Sequence, residues 1–299
     1  MKIVLTGAAG NITRPLAQKL LAQGHGVTVI GRRAENLKSL ADQGATPAVG
    51  SIEDEAFLTE AFKGADAVYT MVPVPYHAPD WVAYGEAVGN KYARAIKAND
   101  VRKVVNLSTY GAHRLEGIGP VNSIGQVEKA LNALQNATVI HLRAGYFYTN
   151  LVAQIPAIKN RHTIGSNYGH PEKTLLLVHT KDIAEVAAEA LTNHGFNSEE
   201  PYYIVSDVRS YADVAAVIGK AIGKDDLKWT PLSDDELRHG LRQSGFPDGL
   251  INIYAEIGQS LANGRLNEHY LSLPAKPALG QTKLEEYARE FAAAYQQSK

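Results

Sequence analysis

The first thirteen residues, MKIVLTGAAGNIT, constrain the fold more than any other stretch of the chain. Ile3, Val4 and Leu5 form the short apolar run that a parallel strand buried on both faces presents. Gly7, Ala8, Ala9 and Gly10 follow directly, and an amphipathic stretch begins near Ile12 and continues through Leu16, Leu20 and Leu21. Strand, glycine turn and helix in that order make a phosphate-binding loop. The glycines let the backbone turn tightly beside a pyrophosphate, and the helix start offers free N–H groups and partial positive charge. The spacing is G-x-x-G-x-x-T, not G-x-G-x-x-G. Thr13 stands where a third glycine would sit, so slightly looser packing of helix on strand is expected there.

The same alternation continues. Strands are expected at Val27 to Ile30, Thr46 to Val49, Ala67 to Val72, Lys103 to Leu107 and Thr138 to Leu142, with helical stretches between them. Six strands alternating with helices specify an α/β fold, a Rossmann-type doubly wound parallel sheet with helices on both faces. A dinucleotide-binding domain is expected over residues 1–150. A smaller, mainly helical substrate-binding lobe is expected over 151–299, with some strands returning to the main sheet. Within it, Thr180 and Asp182 read as the cap of a helix running through Leu191.

The second strand ends at Gly31-Arg32-Arg33. An acid at this tip would bind both ribose hydroxyls of NAD, whereas arginine accommodates the 2′-phosphate of NADP. Guanidinium matches phosphate with paired donors, so NADP is read over NAD. Ser51 and Ile52, in the turn after the third strand, are candidates to flank the adenine. Pro73 and Pro75 interrupt the chain after the fourth strand, at the carboxyl edge where ligands of open α/β sheets bind.

Composition narrows the alternatives. With a net charge of −1 in 299 residues, the chain carries no polycationic signature for nucleic acid. It has no cysteine, which excludes disulfides, thiolate zinc sites and cysteine nucleophiles. Its ten histidines form no H-x-H or H-x-x-x-H set, and no metal is expected. No apolar run approaches the roughly 20 residues of a membrane span. The N-terminus leads straight into a strand, so no signal peptide and a cytoplasmic location are expected.

TGAAGNIT at the start, GRR after the second strand, RAGYFYTN after the sixth and VHTKDIAEVAAEAL later together resemble the NmrA-like family, atypical members of the short-chain dehydrogenase/reductase superfamily. The resemblance covers nearly the whole chain. Bacterial members of this size include NADPH-dependent quinone and dye reductases; others are regulators that bind NADP without turnover. The resemblance implies that Gly7, Ala9, Gly10, Asn11 and Ile12 wrap the pyrophosphate and that Arg32, with Arg33, holds the 2′-phosphate. Val72 and Pro73 then pass beside the nicotinamide ribose, Ser108 and Tyr110 lie near the nicotinamide, and Tyr146, Phe147, Tyr148 and Asn150 form the nicotinamide and substrate wall. A flat, conjugated small molecule is the partner expected of a reductase, with a homodimer as a further expectation; the alternative is an NADP(H)-sensing regulator that acts through a protein partner.

One departure stands out. Typical short-chain dehydrogenases carry Tyr-x-x-x-Lys on the helix after the fifth strand, the tyrosine serving as proton donor. Here that helix reads Pro120, Val121, Asn122, Ser123, Ile124, and its first lysine is Lys129. Glu128 and Lys129 read as a solvated surface, and Ser108 as a strand-end hydroxyl that satisfies a turn. Tyr110 and His113 are the remaining candidates for catalysis, His113 because an imidazole can donate a proton near neutral pH.

Overall fold

The alternating apolar runs fold as the parallel sheet they predict. The computed structural model describes residues 1–8 and 10–298. In chain order the first elements are β1 (Lys2–Leu5), α1 (Thr13–Ala22), β2 (Gly26–Gly31), α2 (Ala34–Ala41), β3 (Thr46–Val49) and α3 (Glu55–Ala61). Next come β4 (Ala67–Thr70), α4 (Trp81–Ala98), β5 (Lys103–Thr109), α5 (Asn122–Asn132) and β6 (Thr138–Ala144). They are followed by β7 (Tyr146–Phe147), α6 (Ile155–Arg161), β8 (Ile164–Ser166), β9 (Thr174–Val178), α7 (Thr180–Thr192) and β10 (Tyr202–Ile204). The remainder is β11 (Asp207–Ser210), α8 (Tyr211–Ala221), β12 (Trp229–Pro231), α9 (Asp234–Gln243), α10 (Asp248–Ala262), α11 (Glu268–Ser272) and α12 (Leu284–Gln297).

The chain divides into two compact units. The first comprises residues 1–115, 122–143 and 183–203. It holds a seven-stranded parallel sheet in the order β10-β6-β5-β4-β1-β2-β3. Strand order reverses between β1 and β4, the switch point beside which such sheets bind ligands. Val4, Val68, Val104 and Val139 line one sheet face and are covered by Leu58 and Phe62 of the α3 region, by Val88, Tyr92 and Ile96 of α4, and by Val127 and Leu131 of α5. Helices α4 and α5 approach through Gly85 and Gly89, where an added Cβ would lie 2.4 Å from the Ser123 carbonyl oxygen and 3.0 Å from Val127 Cα. Strand β4 stops at Thr70, short of the expected Val72.

The second unit comprises residues 116–121, 144–182 and 204 onward. It carries a three-stranded sheet β11-β9-β7, a two-stranded sheet β12-β8, and helices α8 to α12. An aromatic cluster fills part of it: Tyr211 stacks on Trp229 with ring centres 4.5 Å apart, and Tyr168 lies 6.0 Å from both. Among the described residues no helix is long and apolar enough to cross a membrane, and no group of three or more His, Asp or Glu is placed to hold a metal ion.

Candidate active site

The glycine turn is built into the tips of β1 and β4. Gly7 has φ +72°, a conformation that L side chains rarely adopt, and an added Cβ would lie 2.6 Å from the Met71 sulfur. Met71 is itself fixed: its N–H donates to Thr6 Oγ1 at 2.9 Å, and its carbonyl accepts from the Tyr92 hydroxyl at 2.8 Å. Gly10 N–H donates to the Gly7 carbonyl at 2.9 Å, which closes the turn, and an added Cβ on Gly10 would crowd that carbonyl at 3.2 Å. Asn11 is exposed and Ile12 buried, and α1 starts at Thr13 with no side chain capping its N–H groups. The start of α1 thus carries no side-chain cap, as a helix start that receives an anion requires. Ala9 lies outside the described residues. At Thr13, where a third glycine would stand, the buried hydroxyl donates to the Thr6 carbonyl at 3.1 Å and ties the start of α1 to the end of β1.

Arg32 and Arg33 stand exposed at the end of β2. Among the described residues Arg32 has no hydrogen-bond or ion-pair partner, and Arg33 faces Glu35 at 3.7 Å with both side chains well exposed. Neighbouring residues are more tightly held than their sequence suggests. Tyr84 of α4 donates to Glu53 Oε1 at 3.2 Å, and His77 stands 3.5 Å from the same oxygen and edge-on to the Tyr84 ring. Burial first, then the Glu53 carboxylate, pushes the Tyr84 hydroxyl up to about 12, against a smaller opposing pull from Arg32. Ser51 Oγ accepts the Glu53 N–H at 3.2 Å, and Ile52 and Val72 pack against the core. Pro73 is exposed.

Ser108 and Glu128 are both corrected by the structure. Ser108 is buried, and its hydroxyl donates to Glu128 Oε1 at 2.5 Å. Glu128 is not a solvated surface residue: it is 5% exposed and receives Arg143 Nε at 3.0 Å and Nη2 at 2.6 Å, a bidentate pair. Arg143 also donates to the Tyr203 hydroxyl at 3.3 Å. Burial alone would raise the Glu128 carboxyl, but the Arg143 guanidinium, by hydrogen bond and by charge, and the Ser108 hydroxyl hold it below its usual range. Beneath this pair, Thr70 donates to Asn106 Oδ1, Asn106 donates to His141 Nδ1, and His141 Nε2 donates to Asn132 Oδ1. Burial lowers the His141 pKa and favours that neutral tautomer.

Tyr110 is buried and His113 half-buried at the β5 tip. Tyr146, half-buried, meets Tyr168 with hydroxyls 3.5 Å apart, and Asn150 is exposed. Tyr148 is corrected to a core residue. It has no accessible surface, stacks on Tyr287 at 5.0 Å, and donates to the Thr282 carbonyl at 3.2 Å. Its position after the two-residue strand β7 turns it inward, and no face is left for a ligand. Asp182 is not the cap of α7. The His179 ring takes that role, its Nδ1 accepting the Lys181 N–H at 3.0 Å.

The sequence pattern of the NmrA-like family matches residues 1–251. The chain belongs to the NmrA-like family. Within that family setting, an NAD(P)H azoreductase of Xenophilus azovorans is 22% identical over 255 residues, covering 85% of each chain. Among solved structures, the triphenylmethane reductase of Citrobacter sp. superposes with a TM-score of 0.80 at 21% identity, covering 98% of this chain and 100% of that one. An NADPH-dependent quinone oxidoreductase of Escherichia coli, solved with NADPH, gives 0.78 at 22% identity, covering 96% of this chain and 99% of that one. The two structures establish the fold of this NmrA-like chain.

Proposed function

We propose that this NmrA-like protein is an NADPH-dependent reductase acting on a flat, conjugated electrophile of the quinone or dye type. The observation that carries it is Gly7, held at positive φ against Met71 where no side chain fits, ahead of an uncapped helix start, with Arg32, unpartnered among the described residues, at the neighbouring strand tip. Three relatives named for quinone, triphenylmethane and azo reduction support the class of acceptor. In this reading Gly7, Ala9, Gly10, Asn11 and Ile12 hold the pyrophosphate, and Arg32 with Arg33 holds the 2′-phosphate. Ser51 and Ile52 flank the adenine, and Val72 and Pro73 border the nicotinamide ribose. The cofactor supplies the hydride.

The chain's own work is to bind and orient. Helix α5 carries no tyrosine, and the Ser108 hydroxyl is committed to Glu128. Neither supplies a proton. Strong electrophiles accept hydride without a dedicated acid, and water protonates the reduced product, so Tyr110 and His113 are not required for turnover.

The test is NADPH oxidation, followed by absorbance, across a panel of quinones, azo dyes and triphenylmethane dyes. A saturable rate is expected that disappears in Gly10→Asp, whose carboxylate would oppose the pyrophosphate. No rate on any acceptor, with NADPH still bound tightly, would overturn the reductase and favour a non-catalytic NADP(H) sensor acting through a protein partner. Arg32→Ala should weaken NADPH binding by on the order of 30-fold, the worth of a bidentate charge-assisted contact. NADH binding should barely change; equal losses for both would remove Arg32 from the 2′-phosphate.

A further inference from the structure

Arg14 is a cation without an assigned purpose. It is exposed in the first turn of α1, a turn that contains no acid and where the helix field disfavours positive charge. Among the described residues its side chain has no hydrogen-bond or ion-pair partner. The phase of the helix fixes the side on which it lies. Thr13, Leu16, Ala17 and Leu20 form the buried stripe. Lys19 leaves α1 on one flank to pair with Glu185 of α7. Gln18 leaves on the other, donating to Gln43 Oε1 at 3.0 Å just beyond the end of α2, and Leu21 reaches Gly44 on the same side. Residues three and four apart on a helix share a face, so Arg14, one turn before Gln18, lies on the flank that faces α2.

Helical side chains lean toward the helix N-terminus, and the N-termini of α1 and α2 both lie at the carboxyl edge of the sheet. Arg33 is the residue preceding α2, and Arg32 precedes it. Arginines from α1 and from the β2 tip are thus directed to one edge. Among the described residues the one acid paired with any of the three is Glu35, at 3.7 Å from Arg33. Guanidinium groups directed to one edge repel one another unless a multiply charged anion joins them.

We propose that Arg14 is a second determinant of NADP over NAD, meeting the 2′-phosphate from α1 while Arg32 meets it from the tip of β2. The inference rests on the NADPH reading above and adds a residue to it. A pyrophosphate role is the competing one, and it predicts a different result, because the pyrophosphate is common to both dinucleotides.

The experiment is calorimetric titration of wild type, Arg14→Gln, Arg14→Lys and Arg32→Ala with NADPH, NADH, 2′,5′-ADP and 5′-AMP. Arg14→Gln should weaken NADPH and 2′,5′-ADP by about tenfold, one charge-assisted contact, and leave NADH and 5′-AMP within about twofold. Arg14→Lys should recover part of the loss, since it keeps the charge and lacks the fork. The melting temperature should not fall, because the side chain is exposed and its charge opposes the helix field. Equal weakening of NADPH and NADH by Arg14→Gln, or no weakening of either, overturns the proposal. A wild type without preference for NADPH overturns the NADPH reading and this inference together. A preference that is lost in Arg32→Ala and intact in Arg14→Gln overturns this inference alone.

Discussion

Glu128→Ala is expected to destabilise the first unit by about 3–5 kcal/mol, the usual cost of removing one partner of a buried ion pair. The cost comes from what remains. Arg143 is buried and is left with a charge facing the Tyr203 hydroxyl, which cannot neutralise it. Glu128→Gln keeps the shape and an acceptor for Ser108, so its loss should be smaller. The double change Glu128→Leu with Arg143→Met should recover much of the stability, because an apolar pair of similar volume avoids the desolvation penalty. Acid should reproduce part of the Glu128→Gln effect. The carboxyl ionises below its ordinary value of 4.5 in the fold. Its contribution is therefore fully present above that ordinary value and is lost as pH falls through the lower, folded-state value. Urea midpoints measured from neutral pH down to about pH 3 should fall in wild type and fall less in Glu128→Gln. Parallel acid profiles for the two proteins would show that the ion pair contributes nothing.

The contrast between what could and could not be read in the sequence follows from how far apart the interacting residues lie. The β1 run, the glycine turn and α1 form one continuous stretch, and each strand–helix alternation is written in a local period. The two arginines follow their strand directly. The Glu128–Arg143 clamp joins α5 to β6, and the sequence offers only a charged residue on each element. A glutamate beside a lysine on an amphipathic helix has the same pattern whether it meets solvent or a buried guanidinium. Strands β7, β8 and β12, of two or three residues, are too short to carry a period of two. Tyr148 shows the consequence. Three consecutive aromatics fit a ligand wall as well as a core, and the choice was made by Tyr287, distant in sequence, which stacks on Tyr148. His179 was illegible for a different reason: an imidazole is not among the preferred N-cap side chains, whereas the neighbouring Thr180 and Asp182 carry side chains of the preferred kind.

Freed from capping, Asp182 has a larger task in the second unit, and Asp182→Ala is the other substitution expected to have a severe effect. The residue is 7% exposed, and its carboxylate accepts the Ser206 hydroxyl at 2.5 Å, the Thr282 hydroxyl at 2.8 Å and the Thr282 N–H at 3.2 Å. Gly280 lies so close that an added Cβ would stand 2.2 Å from Asp182 Oδ2. The carboxylate thus fastens the segment that leads into α12, helped by Lys283, which donates to the Ser206 and Gly280 carbonyls. Alanine would leave three donors facing a void, at about 1–3 kcal/mol for each one left buried and unpaired. A total loss of about 3–5 kcal/mol is expected, since part of the segment can turn its donors to water. The failure should be local before it is global, because α12 is held to the rest of its unit largely along the buried stripe of Leu284, Tyr287, Ala288 and Phe291. Limited proteolysis should therefore cut Asp182→Ala near residues 275–283 under conditions that leave wild type intact, and the melting temperature should fall. Asp182→Asn places one amide nitrogen against those donors and should lose an intermediate amount. Unchanged protease resistance together with an unchanged melting temperature in Asp182→Ala would show that the apolar stripe alone holds the terminal helix.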